Sequence, residues 1–148
     1  MGIAASASIA RASGSGIRAT TPYARRAAKA IIYVPMADER TIQLFQSRDD
    51  RGTRSIWATA LSDGRLKLEG QDLGASVAIF GEGLTEYEWD WTVAADDVPL
   101  LPAAFGGKLG DDPIPLLRHW IKQGNGRDPG QHLKDAGFAV EFWSRIGD

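Results

Sequence analysis

The clearest pattern in the chain is the alternation of acidic and aromatic residues within the segment 84–93. Successive side chains of a β-strand point to opposite faces, so Glu86, Glu88 and Asp90 would share one face. We call these three residues the acidic ladder. The opposite face would carry three aromatic side chains, those of Tyr87, Trp89 and Trp91. The segment is therefore predicted to be a strand with one charged and one aromatic face.

Shorter apolar segments predict four further strands. The first three precede the acidic ladder and cover residues 41–47, 55–61 and 66–69. The Asp63-Gly64 pair, between the second and the third, favours a two-residue hairpin turn of type I′. The chain closes with a predicted strand over 139–146, one face of which would carry Val140, Phe142 and Ile146.

Between the acidic ladder and the last strand, the sequence predicts two or three short helices. Asp96 is expected to cap a helix that ends near Phe105 and is kinked or shortened by Pro102. Two later helices are read from Asp-Pro starts and glycine stops, Asp112-Pro113 to Gly124 and Asp128-Pro129 to Gly137. Because strands precede helices, we expect an α+β fold, an antiparallel sheet of four or five strands with two or three short helices packed on one face.

The composition indicates one domain without disulfides. A chain of 148 residues has no room for two ordinary domains. It contains no cysteine, which excludes a disulfide framework, a thiolate zinc site and a cysteine nucleophile. No segment approaches the roughly 18 apolar residues of a membrane-spanning helix. We therefore expect a cytoplasmic protein that does not span a membrane.

The net charge of −2 hides an uneven distribution. Residues 1–35 hold five of the 17 basic side chains and no acidic one. Residues 36–148 therefore hold the other 12 basic side chains and all 19 acidic ones, which gives them a net charge of −7. This balance argues against general nucleic-acid binding, which needs lysine and arginine on one face. It suits a protein partner with a basic surface.

The first 35 residues are open to three interpretations. An Arg- and Ser-rich, acid-poor composition matches an organellar transit peptide. An export signal is disfavoured, because the start lacks a basic n-region and a long apolar h-region. We favour a disordered basic arm or an over-long gene start, because periodic sequence begins just after Met36. Residues 36–148 would then form the single α+β domain.

The acidic ladder itself has three interpretations. Neighbouring ladder positions lie about 6.6 Å apart, at ~3.3 Å per residue. The ladder could be a solvated sheet face whose charges pair with Arg65 and Lys67 on the preceding hairpin. It could present a row of charges to a cationic partner. It could also hold two catalytic carboxyls, since inverting glycosidases keep theirs roughly 6.5–9.5 Å apart.

The last strand adds a second candidate site. Trp143 and Arg145 would share a face with Glu141. If Val140 and Phe142 point inward, Trp143 is exposed, and exposed Trp and Arg side chains are typical of binding hot spots. The alternative is that a second layer or the basic arm covers this face.

The sequence carries no recognised catalytic, metal or cofactor motif. Neither His119 nor His132 has a histidine or carboxylate four residues later, so no helical zinc pair is predicted. We expect both histidines on the surface. No glycine-rich segment has the lysine and Ser/Thr of a phosphate loop, and none fits a dinucleotide fingerprint. We therefore predict no cofactor.

In size, acidity and compactness, residues 36–148 resemble the immunity proteins of bacterial toxin systems, a general resemblance that transfers no site residue. Our first hypothesis is a non-enzymatic, immunity-like binding domain whose acidic ladder, with Trp143 and Arg145, contacts a basic protein. The alternative is a carboxylate enzyme that uses Glu86 and Glu88, with or without a metal ion. A third hypothesis is a homo-oligomer that leaves the fifth strand at an exposed edge.

Overall fold

The computed structural model describes residues 39–147. Five strands form one antiparallel sheet in the order β1-β2-β3-β4-β5. The strands are β1 (Arg40–Asp49), β2 (Gly52–Ala60), β3 (Leu66–Leu73), β4 (Glu86–Val93) and β5 (Val140–Gly147). The predicted α+β class and the five predicted strands are confirmed. The interpretation of residues 1–35 lies outside the described residues.

The helices lie in the connections after β3 and β4. A 3-10 helix (Ala75–Phe80) follows β3, and a second one (Val98–Leu100) follows β4. The α-helices are α1 (Leu101–Ala104), α2 (Pro113–Gln123) and α3 (Gly130–Asp135). None of the helices between residues 39 and 147 is both long and apolar enough to cross a membrane.

The helices cover the aromatic face of β4. Trp89 and Trp91 are buried in one hydrophobic core with Leu117 and Ile121 of α2 and Leu133 of α3. The opposite face of the sheet carries the acidic ladder, as the alternation requires. The sheet therefore has one face under helices and one face that the described helices leave open.

One predicted helix start is confirmed, and another differs from the prediction. Asp112 caps α2 as expected, because its Oδ1 accepts a hydrogen bond from the backbone nitrogen of Ile114 at 3.0 Å. The expected helix over 96–105 is instead a 3-10 turn and the four-residue α1, and Asp97, not Asp96, precedes it. Proline lacks a backbone N–H, so Pro99 and Pro102 limit this segment to short helical pieces.

The hairpin between β2 and β3 also differs from the expected type I′ turn. The backbone nitrogen of Gly64 donates to the Leu61 oxygen at 3.0 Å, and that of Leu61 donates to the Arg65 oxygen at 2.9 Å. Only Gly64 has a positive φ, of 88°, while Asp63 does not. This is the three-residue loop with a glycine bulge, which needs one left-handed residue where a type I′ turn needs two.

Asp128 joins β4 to α3. Its Oδ1 accepts hydrogen bonds from Trp91 Nε1 and from the backbone nitrogen of Gly130, each at 2.7 Å. The Trp91 ring also fills the space that a side chain at Gly130 would need. The start of α3 is thus fixed against the indole by one carboxylate and one glycine.

Replacing Asp128 tests this junction. Asp128→Ala leaves the buried indole N–H of Trp91 without its acceptor, and we expect the free energy of unfolding to fall by about 1–3 kcal/mol. Asp128→Asn keeps an acceptor oxygen and should cost less than about 1 kcal/mol. Urea unfolding followed by tryptophan fluorescence measures both. Equal losses in the two variants would show that the bond to the indole contributes little.

Candidate functional site

The five candidate site residues predicted from sequence come together on the open face of the sheet. The register of β4 and β5 places Arg145 opposite Glu88 and Trp143 opposite Asp90. Directly opposed residues of an antiparallel pair share a face, so both side chains lie beside the acidic ladder. We call this set, Glu86, Glu88, Asp90, Trp143 and Arg145, the ladder surface. The sequence identified its members but not their proximity.

Arg145 links two of the ladder carboxylates. One terminal guanidinium nitrogen lies 3.0 Å from Glu86 Oε2, and its Nε lies 3.4 Å from Glu88 Oε2. Gln71 of β3 approaches the same pair from the other side, with Nε2 donating to Glu86 Oε1 at 3.0 Å and to Glu88 Oε1 at 3.4 Å. The two carboxylates are therefore oriented from both neighbouring strands.

Lys67 lies near Asp90, at the other end of the acidic ladder. Its Nζ lies 2.8 Å from Glu69 Oε1 and 3.8 Å from Asp90 Oδ2. This confirms the expected cross-strand pairing of Lys67 with the ladder. The matching expectation for Arg65 is wrong, because its Nε binds Asp63 Oδ2 at 2.8 Å within the hairpin loop. Asp63, two positions before Arg65, is a nearer carboxylate partner than the acidic ladder on β4.

Two further side chains on this face escaped the sequence analysis. Glu69 lies opposite Asp90, and Trp57 lies opposite Glu69 on the next strand. Glu69 also accepts a hydrogen bond from Thr59 Oγ1 at 3.0 Å, and Thr59 contacts Thr41 Oγ1 at 2.9 Å. The polar network thus reaches from β1 to β4, and strand pairing is the only signal that could have revealed it.

The electrostatics of Asp90 reflect its partial burial. The Asp90 side chain is 17% exposed, and its pKa is raised because burial disfavours the charged carboxylate. Lys67 opposes this effect and Glu69 adds to it. The pKa of Lys67 is raised chiefly by its hydrogen bond to Glu69, which favours the charged amine. Asp90 is also the least exposed of the three ladder side chains, with 17% against 22% for Glu86 and 34% for Glu88.

β5 is exposed on both faces. Trp143, on the ladder side, is 50% exposed, and Phe142, on the helix side, is 49% exposed although its ring lies 4.2 Å from that of Trp91. Val140, Phe142 and Ile146 share one face, as predicted, and the register with β4 places this face on the helix side. The condition set for exposure of Trp143 is met, and no described helix or strand covers it.

The two histidines behave differently. His119 is exposed on α2, as expected. The expectation that His132 lies on the surface is wrong, because its ring packs 5.0 Å from Phe105 and 4.9 Å from Trp120. His132 Nε2 also lies 2.6 Å from the backbone oxygen of Ala104. His132 is therefore a half-buried, structural residue next to the buried Leu133.

Within residues 39–147, no group of three or more histidine, aspartate or glutamate side chains is placed to hold a metal ion. Comparison with known proteins finds no match, since no family model, no curated protein and no solved structure is significantly similar to this chain.

The raised pKa of Asp90 gives a pH-dependent prediction. A carboxyl whose pKa is higher in the folded than in the unfolded chain stabilises the fold below the unfolded value, 3.8, and this contribution is lost as the pH rises through the folded value. Asp90→Asn cannot ionise. We therefore expect the variant to gain stability relative to the parent protein between pH 3 and pH 7, by less than about 1 kcal/mol.

Urea unfolding at the two pH values measures this difference. Asp50→Asn, in the exposed β1–β2 turn, controls for the loss of one negative charge. A relative stability of Asp90→Asn that falls between pH 3 and pH 7 would contradict the assignment, because it would mean that the charged carboxylate stabilises the fold.

Proposed function

We propose that this chain is a non-enzymatic protein-binding domain that presents the ladder surface to a partner with a basic surface. The observation that supports this most directly is the placement of all five residues on the face left open by the described helices. A face that served only to close the core would be expected to carry apolar side chains under a covering layer. This face carries ordered charges instead.

The carboxylates are held in place before any partner arrives. Glu86 and Glu88 are contacted by Gln71 and Arg145, and Asp90 lies beside Lys67. Side chains that are already ordered lose less rotamer freedom when they bind. Exposed ion pairs add at most about 1 kcal/mol to stability, so orientation is the larger consequence of these contacts.

Charge complementarity defines the partner. Residues 36–148 carry a net charge of −7, with 19 acidic side chains against 12 basic ones. Such a field favours rapid encounter with a cationic surface and disfavours acidic partners. The ladder positions, about 6.6 Å apart, match lysine or arginine side chains spaced along a strand or a helix face. Because the Arg145 side chain is 57% exposed, a partner cation can replace it or bind beside it.

Trp143 supplies the apolar part of the surface. It lies opposite Asp90, next to Arg145 along the same strand face, and half of it is exposed. Aromatic anchors surrounded by polar groups carry much of the binding energy at many interfaces. An immunity-like role in a reducing compartment such as the cytoplasm, in which the basic partner is a toxin, is one form of this proposal; the absence of cysteine suits that compartment.

Neutralising the acidic ladder tests the proposal. The variant Glu86→Gln, Glu88→Gln, Asp90→Asn keeps side-chain shape and removes three charges. We expect it to bind the basic protein captured from the native host at least about tenfold more weakly, because charge complementarity is lost. Affinity is measured by titration calorimetry, and binding to the parent protein should weaken as salt rises from 50 to 500 mM.

A matched control removes the same number of charges elsewhere. Asp50→Asn, Glu82→Gln, Asp135→Asn changes three exposed carboxylates outside the ladder surface. We expect this control to retain the parent affinity to within about twofold, which corresponds to about 0.4 kcal/mol. Equal binding by the ladder variant and the parent protein would exclude the ladder as the contact and leave it as a solvated sheet face.

A further inference from the structure

The two edge strands of the sheet, β1 and β5, differ in how well they are protected against pairing with another strand. β1 carries a bulge between Gln43 and Phe45, and α2 packs against the strand. Arg118 of α2 also donates from a guanidinium nitrogen to the backbone oxygen of Gln43 at 3.1 Å. A bulge and a covering helix are common ways of blocking an edge strand. The β1 edge is therefore protected against pairing with another strand.

The β5 edge is less protected among residues 39–147, although α3 contacts the strand. No described strand pairs with its outer side, and its register with β4 runs without a bulge from Val140 to Gly147. The strand contains no proline and no lysine. Three of its apolar side chains, Phe142, Trp143 and Ile146, are between 43% and 50% exposed. An edge strand of this kind readily accepts another strand.

The sequence of β5 is complementary to itself. Glu141 and Arg145 lie two residues before and two residues after Trp143, on the same face. If a second β5 runs antiparallel across a two-fold axis at Trp143, each Glu141 lies opposite the Arg145 of the other copy. Opposite charges at such positions are favourable cross-strand pairs. Among the described residues, Glu141 makes no other ion pair within 4.0 Å.

We propose that two copies of this chain pair through β5 in this register and form a continuous ten-stranded sheet. The two-fold axis makes the interface isologous, so the same strand serves both subunits. On the helix side, Phe142 of each copy faces the small side chain of Ser144, and Val140 faces Ile146. The exposed apolar residues of β5 then gain side-by-side neighbours from the other copy, while the ladder face of Trp143 stays open.

An axis at Trp143 also keeps equivalent faces of the two copies on the same side of the joined sheet. Residues paired across the axis at Trp143 have the same parity, so the helices of both copies lie on one side and both ladder surfaces on the other. A shift that centred the axis on Ser144 would place Glu141 opposite Gly147 and lose both ion pairs. The charges therefore favour Trp143 as the centre. This inference does not depend on the binding role proposed above.

Cysteine cross-linking tests the register directly, because the chain contains no cysteine of its own. Paired Cα atoms of antiparallel strands lie ~4.5–5.5 Å apart, within the range of a disulfide. We therefore expect Trp143→Cys in the full chain to form a covalent dimer under mild oxidation. Ser144→Cys is the matched control. It should remain uncross-linked, because two residues at that position would be diagonal neighbours about 8 Å apart, beyond disulfide reach.

Sedimentation equilibrium of the cysteine-free protein tests the association itself. One strand edge is a small interface, so we expect a dimer whose fraction rises with concentration. Glu141→Lys opposes Arg145 with a like charge at both ends of the pairing and should raise the dissociation constant by about tenfold or more. Arg145→Glu does the same with carboxylates. An equimolar mixture of the two variants restores opposite charges at both positions and should recover dimer.

The outcomes separate clearly. A parent protein that stays monomeric at the highest concentration overturns the proposal. Cross-linking at position 144 and not at 143 overturns the register. If Arg145→Glu fails to fold, which circular dichroism reveals, the cysteine pair and Glu141→Lys still decide the question.

Discussion

The structure depends on the burial of Trp89 and Trp91 on one face of β4. The Trp89 ring occupies the space that a side chain at Gly70 would need, and the Trp91 ring does the same at Gly130. Both indoles are almost fully buried, and overpacking at either glycine would force them to move. Because strand side chains alternate, a slip of one residue would bury three carboxylates in their place. The two tryptophans therefore fix which face of the sheet carries the acidic ladder.

The same register determines the electrostatics of the open face. Once β4 is fixed, its pairing with β5 brings Arg145 to Glu86 and Glu88, and its pairing with β3 brings Lys67 to Asp90. Each end of the ladder thus receives one cation from a different neighbouring strand. Lys67 and Arg145 partly neutralise the ladder carboxylates, while the described helices leave this face uncovered. At Asp90, burial raises the pKa despite the nearby amine of Lys67.

Local sequence signals predicted the elements well and their interactions less well. The alternation in β4 and the Asp112-Pro113 start of α2 act over a few residues, and the structure confirms both. The link from Arg145 to Glu86 joins residues 59 positions apart, and it follows only from the register of β4 with β5. The packing of His132 between Phe105 and Trp120 likewise requires three separate helical segments to meet. The spacing of polar and apolar residues within one segment contains no information about contacts between distant segments.

The incorrect local predictions have a common cause. Asp96 and the Asp63-Gly64 pair are correct types of residue for a cap and a turn, but each motif has close alternatives of similar energy. In the hairpin, one glycine bulge satisfies the chain with a single left-handed residue, so the tighter turn is unnecessary. In the segment after β4, two prolines restrict helix formation more than one favourable cap can promote it.

The two proposals meet at β5, because Trp143 and Arg145 belong both to the ladder surface and to the free edge. Pairing across an axis at Trp143 would place two acidic ladders on one side of one sheet, with the two tryptophans between them. A partner with two basic segments could then contact both ladders, and the second contact would form at a high effective concentration. Glu141 would acquire a role that the monomer does not give it, since it would hold the Arg145 of the other copy. The exposure of β5 on both faces would then follow from its position at the centre of the assembly.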